Sequence, residues 1–239
     1  MAGHSKWNNI KHKKGKTDAQ RAKIFTKVGR EMAVAIREGG PDPVSNGKLR
    51  DLIAKAKSLN VPNENIERSI KKAGEKDAGS YESITYEGYG PNGVALMVDC
   101  LTDNRNRTAG DLRHYFDKFG GNLGQTGSVG FLFHQEGVIV LEAALGEDAA
   151  MELCISCGAL DFSPEDGYLE FYTKPDELEK ARRALEEAGH TPQSAELIWQ
   201  SATLVNLDED GKIKMEKLLE MLEDNDDVQE VWHNWGDGG

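Results

Sequence analysis

The sequence predicts an α+β protein of three domains: an N-terminal three-helix domain followed by two α/β domains, one ferredoxin-like and inserted into the other. Three observations predict it. Apolar residues recur at helical spacing as far as about residue 74, and strand-like runs take over from about residue 83. A β-α-β-β-α-β order, the ferredoxin-like arrangement, fits between residues 135 and 201 of the 239-residue chain. The last strand, helix and strand bury too little to stand alone, so they are assigned to the sheet that begins near residue 80. The expected boundaries are therefore 1–79 for a basic arm and helical domain, 80–134 with 202–239 for a discontinuous α/β domain, and 135–201 for the insert.

Element by element, residues 1–16 are polar, basic and aperiodic, as in an arm that orders only on a partner. A first helix starts at Thr17 or Asp18, lines up Ile24, Phe25, Val28, Met32 and Ile36, and stops at Gly39-Gly40. A second spans about Gly47 to Leu59, and a third follows Pro62-Asn63 and ends at Gly74. Three helices with one apolar face each bury those faces against one another. Strands are expected at Ser83–Glu87, Val94–Asp99 and Val129–His134, with a helix between about Thr108 and Phe119. The insert then reads as strand Gly137–Glu142, helix Glu147–Cys157, strands Ala159–Phe162 and Tyr168–Tyr172, helix Pro175–Ala188 and strand Ala195–Gln200. Strand Thr203–Leu207, helix Lys212–Leu222 and strand Val228–Trp232 close the chain.

Charge points to a partner. The net charge of −12 conceals a division: residues 1–76 hold 18 Lys and Arg against 8 Asp and Glu, and the remainder holds 11 against 33. One end suits a polyanion and the other repels it. In the first thirty positions nine cations, Lys6, Lys11, Lys13, Lys14, Lys16, Arg21, Lys23, Lys27 and Arg30, face one acid. Such residues neutralise phosphates with little sequence preference. Trp7 and His12 are interleaved with them and suit stacking on unpaired bases, which favours RNA over duplex grooves.

A second basic feature, Asn104-Arg105-Asn106-Arg107, lies between a strand and a helix, with forked donors in otherwise acidic sequence. Helix capping by Asn106 or Thr108 is the plainer explanation, and it accounts for one residue but not for two arginines. The glycine-rich stretch 120–128 leads toward an expected strand rather than opening a helix. It is read as a partner-contacting loop and not as a phosphate cradle. Gly88-Tyr89-Gly90-Pro91-Asn92-Gly93 matches a dinucleotide fingerprint literally, but joins two strands and reads as a hairpin turn.

Cys154 and Cys157 have C-x-x-C spacing, yet no second ligand pair accompanies them and they sit late in a helix. Buried apolar cysteines are expected. No nucleophile, metal or Walker motif is present, so neither an enzyme nor a cofactor is expected. The opening lacks a signal-peptide pattern, and a reduced, cytoplasmic protein, taken as a monomer, is the expectation.

The opening MAGHSKWNNIKHKK, the segment TYEGYGPNGVAL and the segment TDNRNRTAGDLRHYFDKFGGNLGQTGSVGFLF together resemble the YebC family, whose mitochondrial relatives are translational activators of cytochrome c oxidase. The resemblance spans the chain. It implies three α/β-type domains and two competing activities: DNA-binding transcriptional regulation, or action on the ribosome that eases peptide-bond formation at proline runs. As candidate contacts with nucleic acid it implies Lys6, Trp7, Lys11, His12, Lys13 and Lys14, then Asn104, Arg105, Asn106 and Arg107, and finally Asn122 and Gln125. The favoured expectation is a ribosome-associated factor binding ribosomal RNA or tRNA, with DNA as the alternative.

Overall fold

The computed structural model describes residues 18–73, 81–142, 145–165 and 167–236; the side chains of 18–21 and of Glu165 are outside the description. The chain divides into two compact units, one of residues 132–203 and one formed by 16–131 together with 204–238.

Among the described residues the larger unit opens with three helices, α1 (Asp18–Gly39), α2 (Gly47–Ser58) and α3 (Asn63–Ala73). Their apolar faces meet in a core of Val28, Met32, Ala35, Ile36, Leu49, Ala56, Val61 and Ile66. The break between α1 and α2 is set by Asn46. Its amide donates to the Ala35 and Gly40 carbonyls, both at 2.8 Å, and its oxygen caps α2 by accepting from Leu49 N at 3.0 Å. Asn46 is itself buried, so one side chain ends one helix and starts the next.

The same unit continues with β1 (Glu82–Tyr89), β2 (Ala95–Thr102), α4 (Arg105–Lys118) and β3 (Asn122–Leu123). After residue 203 it resumes with β8 (Val205–Asn206), α7 (Glu209–Asp224), β9 (Val228–His233) and β10 (Trp235–Gly236). The main sheet runs β3-β1-β2-β9, all antiparallel. β8 and β10 make a separate parallel pair. Leu112 and Phe116 of α4, with Met215, Leu218 and Leu222 of α7, pack on Leu96 and Val98 of the central strand. Gly88 is required where β3 crosses close to β1: a Cβ there would stand 2.7 Å from the Asn122 carbonyl and 2.8 Å from the Phe116 ring.

The smaller unit holds β4 (Phe133–Glu142), α5 (Glu147–Cys157), β5 (Asp161–Glu165), β6 (Tyr168–Thr173), α6 (Leu178–Glu187) and β7 (Ser194–Ser201). Its antiparallel sheet has the order β5-β6-β4-β7. That is the ferredoxin-like topology expected from the sequence. Ile139, Leu141, Leu169 and Phe171 from the sheet meet Leu153, Leu178, Ala181 and Leu185 from the two helices.

The expected strand Val129–His134 does not form. Val129 lies in a bend, 130–132 make a short 3-10 turn, and Phe133 and His134 open β4, which pairs with β6 and β7. The apolar run Phe131–Phe133 carries the periodicity of a strand. Gly127, Val129 and Gly130, however, donate their amides to the Glu87 side chain. It is the two-residue β3 that pairs with β1 on the side away from β2.

Candidate nucleic-acid interface

The arm residues Lys6, Trp7, Lys11, His12, Lys13, Lys14 and Lys16 lie outside the described residues. Arg21 is in α1, and its side chain is outside the description. Lys23, Lys27 and Arg30 follow at intervals that place them along one stripe of α1. That stripe meets the C-terminal end of α7 and the turn after it. Lys23 Nζ lies 2.9 Å from Asp224 Oδ1 and 3.2 Å from the Asp224 carbonyl. Lys27 Nζ donates to the Glu223 carbonyl at 2.6 Å, and Arg30 donates to the Asp226 carbonyl at 2.6 Å. Carbonyls at a helix C-terminus lack intrahelical partners and sit at the negative end of the dipole, so cations are the chemistry they accept. The three cations are engaged inside the protein.

Asp227 is the centre of this junction. Its side chain is 4% exposed and receives Arg30 Nη1 and Arg107 Nη2, each at 2.7 Å. The Thr108 hydroxyl donates to it at 2.8 Å. Burial pushes the Asp227 carboxyl up, but the bonds from Arg107, Thr108 and Arg30 outweigh it and hold the group below the ordinary aspartate value. A buried carboxylate with two guanidinium partners is satisfied electrostatically, whereas alone it would be costly.

The Arg-Asn loop divides between roles. Asn104 caps α4, accepting from Arg107 N at 3.1 Å. The cap is therefore Asn104 and neither Asn106 nor Thr108, because the helix begins at Arg105 rather than near Thr108. Thr108 is buried in the Asp227 cluster instead. Arg107 bridges Asp103 and Asp227, and Arg105 stands 3.7 Å from Glu82. Asn106 is exposed, and its side chain has no hydrogen bond among the described residues.

The glycine-rich loop is fastened by Glu87 of β1. Its carboxylate accepts from Gly127 N on one oxygen and from Val129 N and Gly130 N on the other, all at 2.7 Å. Gly127 has φ +88°, the left-handed region glycine enters without penalty. Three converging amides form an anion cradle, and the anion in it is the protein's own side chain. Burial raises Glu87, and these three bonds reverse the shift to below the ordinary glutamate value. Asn122 and Gln125 remain exposed on the loop's outer side.

A second set of cations was not singled out from the sequence. Arg50 and Lys57 on α2, and Arg68, Lys71 and Lys72 on α3, are exposed, and their side chains have no ion pair or hydrogen bond among the described residues. They contribute to the positive sign of residues 1–76, but they are diluted among helix-face residues, whereas the first thirty positions hold a dense run. Beside them, between α1 and α3, opens a cleft of about 450 Å³.

Two family models divide the chain between them: the TACO1/YebC protein N-terminal domain matches residues 5–76, and the TACO1/YebC second and third domain matches residues 81–235. The chain belongs to the TACO1/YebC family. TACO1/YebC relatives include a protein of Acetivibrio thermocellus, 56% identical over 239 residues, covering 98% of this chain and 99% of the relative. Another, of Caldicellulosiruptor bescii, is 55% identical over 238 residues, covering 98% of each. Both are named probable transcriptional regulatory proteins. The crystal structure of a conserved hypothetical protein from Aquifex aeolicus superposes with a TM-score of 0.81 at 45% identity, covering 92% of each chain.

This TACO1/YebC chain buries all three cysteines, Cys100, Cys154 and Cys157. Burial pushes each thiol upward, so none is poised as a thiolate. Among the described residues no group of three His, Cys, Asp or Glu side chains is placed to hold a metal ion. No described helix is long and apolar enough to cross a membrane.

Proposed function

We propose that this protein is a non-enzymatic regulator of gene expression that binds ribosomal RNA through its helical domain and basic arm, and acts on the ribosome to ease elongation at difficult, proline-rich sequences. The observation that carries the reading is the set of exposed cations on α2 and α3 whose side chains have no partner among the described residues, in a molecule whose remainder is strongly acidic. Such a surface is held toward a polyanion and steers it away from the rest of the chain. The ribosomal assignment also draws on the family resemblance.

The preference for RNA over duplex DNA rests on α3. A helix that reads the major groove does so with its N-terminal residues. The exposed N-terminal half of α3 carries Glu64 and Glu67, and its cations Arg68, Lys71 and Lys72 come at the end. Acids at the groove-facing end oppose phosphates, whereas cations at the far end still suit an irregular RNA surface. The competing reading, a DNA-binding transcriptional regulator, is favoured by the names of the relatives. Sedimentation of the full chain through a sucrose cushion with purified ribosomes tests the proposal. Salt-sensitive, saturable co-pelleting is expected, and a protein that stays in the supernatant at physiological salt contradicts it.

A further inference from the structure

The cleft between α1 and α3 is a different kind of feature from the cationic surface beside it. Its floor is apolar, with Phe25, Val28 and Met32 from α1 and Ile66 from α3. Val28, Met32 and Ile66 belong to the helical core, and Phe25 is half-buried against it. One wall is the Tyr81 ring, held under the Arg30 guanidinium at 5.3 Å from its centroid. Because Arg30 is itself tied to Asp227, that wall is fixed in place. Arg68 and Lys72 stand at the rim. Of the fifteen described lining residues three are cations and none is an acid.

An apolar slot with an aromatic wall, whose charged lining residues are all cations, matches one class of ligand, a flat apolar ring attached to an anion. We infer that this cleft receives an unstacked nucleobase of a single-stranded RNA, with Arg68 and Lys72 on the flanking phosphates. Its size is that of small-ligand sites. Asn65 and Ser69 on the lining supply hydrogen-bonding groups for a base edge. A base stacked within a duplex cannot enter, which makes the site selective for single strands. The inference deepens the RNA-binding reading above and rests on it for the choice of polymer.

The test uses the full chain and fluorescence anisotropy with two labelled probes, a ten-nucleotide single-stranded RNA and a ribose-phosphate strand of equal length without bases. The protein is expected to bind the base-bearing strand about tenfold tighter. Ala33→Trp, which fills the cleft, and Tyr81→Ala, which removes its wall, should each reduce that preference, with circular dichroism confirming the fold. Arg68→Ala with Lys72→Ala should weaken both strands and flatten the log-log salt slope by about 1.4. Equal affinity for the two strands, or a full preference retained by the two folded cleft variants, overturns the inference. Displacement of the RNA probe by an acidic, hydrophobic peptide at equal concentration also overturns it, in favour of a protein ligand. Ribosome binding without a base preference removes this inference alone, whereas a base preference without ribosome binding removes only the ribosomal reading.

Discussion

Arg30 and Asp227 form an ion pair at 2.7 Å across 197 positions of sequence, with side chains 17% and 4% exposed. The pair ties the basic helix α1 to the turn that follows the acidic helix α7. Arg107 completes it from the other side of the carboxylate. Cations that a sequence reading would give to a polyanion are thus first used to join the helical part of the chain to the sheet.

Removing that carboxylate should be expensive. Asp227→Ala leaves two guanidinium groups without their shared partner and removes one of the hydrogen-bond partners of the Thr108 hydroxyl. A loss of about 2–4 kcal/mol is expected in urea unfolding. A change below about 0.5 kcal/mol would show the cluster to be incidental.

The same carboxylate gives a pH dependence. Because the folded Asp227 and Glu87 values lie below their ordinary ones, their contribution is fully present above the unfolded values, about pH 4. It is lost as the pH falls through the lower folded values. Asp227→Asn and Glu87→Gln should each flatten the acid limb of a stability profile recorded below about pH 4, and an unchanged limb would contradict the assignment.

Glu87→Gln exchanges an acceptor-only group for one that points an NH₂ toward backbone donors. The Gly127, Val129 and Gly130 amides, now held at 2.7 Å, should exchange with deuterium faster than in the parent by about tenfold or more. Exchange at the Asn46-capped Leu49 amide should stay as it was.

How much of this was visible in the sequence depends on whether the signal was local. Helix α1 and the β-α-β-β-α-β order were legible because apolar spacing and glycine punctuation are short-range. The buried C-x-x-C was legible because a metal site needs partners that the sequence lacks. The 129–134 strand was misread because its outcome depends on Glu87, forty positions away. The engagement of Lys23, Lys27 and Arg30 was equally hidden, since their partners at 223–227 meet them only in the folded chain. Arg50, Lys57 and Lys71 were passed over for the opposite reason: that their side chains lack partners among the described residues is visible only in the folded chain.

That distinction predicts unequal effects on nucleic-acid binding. Lys57→Ala with Lys71→Ala should lower the log-log salt slope on single-stranded RNA by about 1.4. Lys23→Ala with Lys27→Ala removes cations already engaged by Glu223 and Asp224, and should change the slope by less. The reverse order would mean that the junction opens on binding.

The most direct test of the central claim is a salt titration of the full chain with purified ribosomes and with mixed-sequence duplex DNA, run side by side with excess competitor DNA. Saturable ribosome binding at physiological salt that survives the competitor, alongside weak duplex binding, is the expected result. Tight duplex binding that survives the competitor, with no association with ribosomes, would contradict the claim and support transcriptional regulation instead.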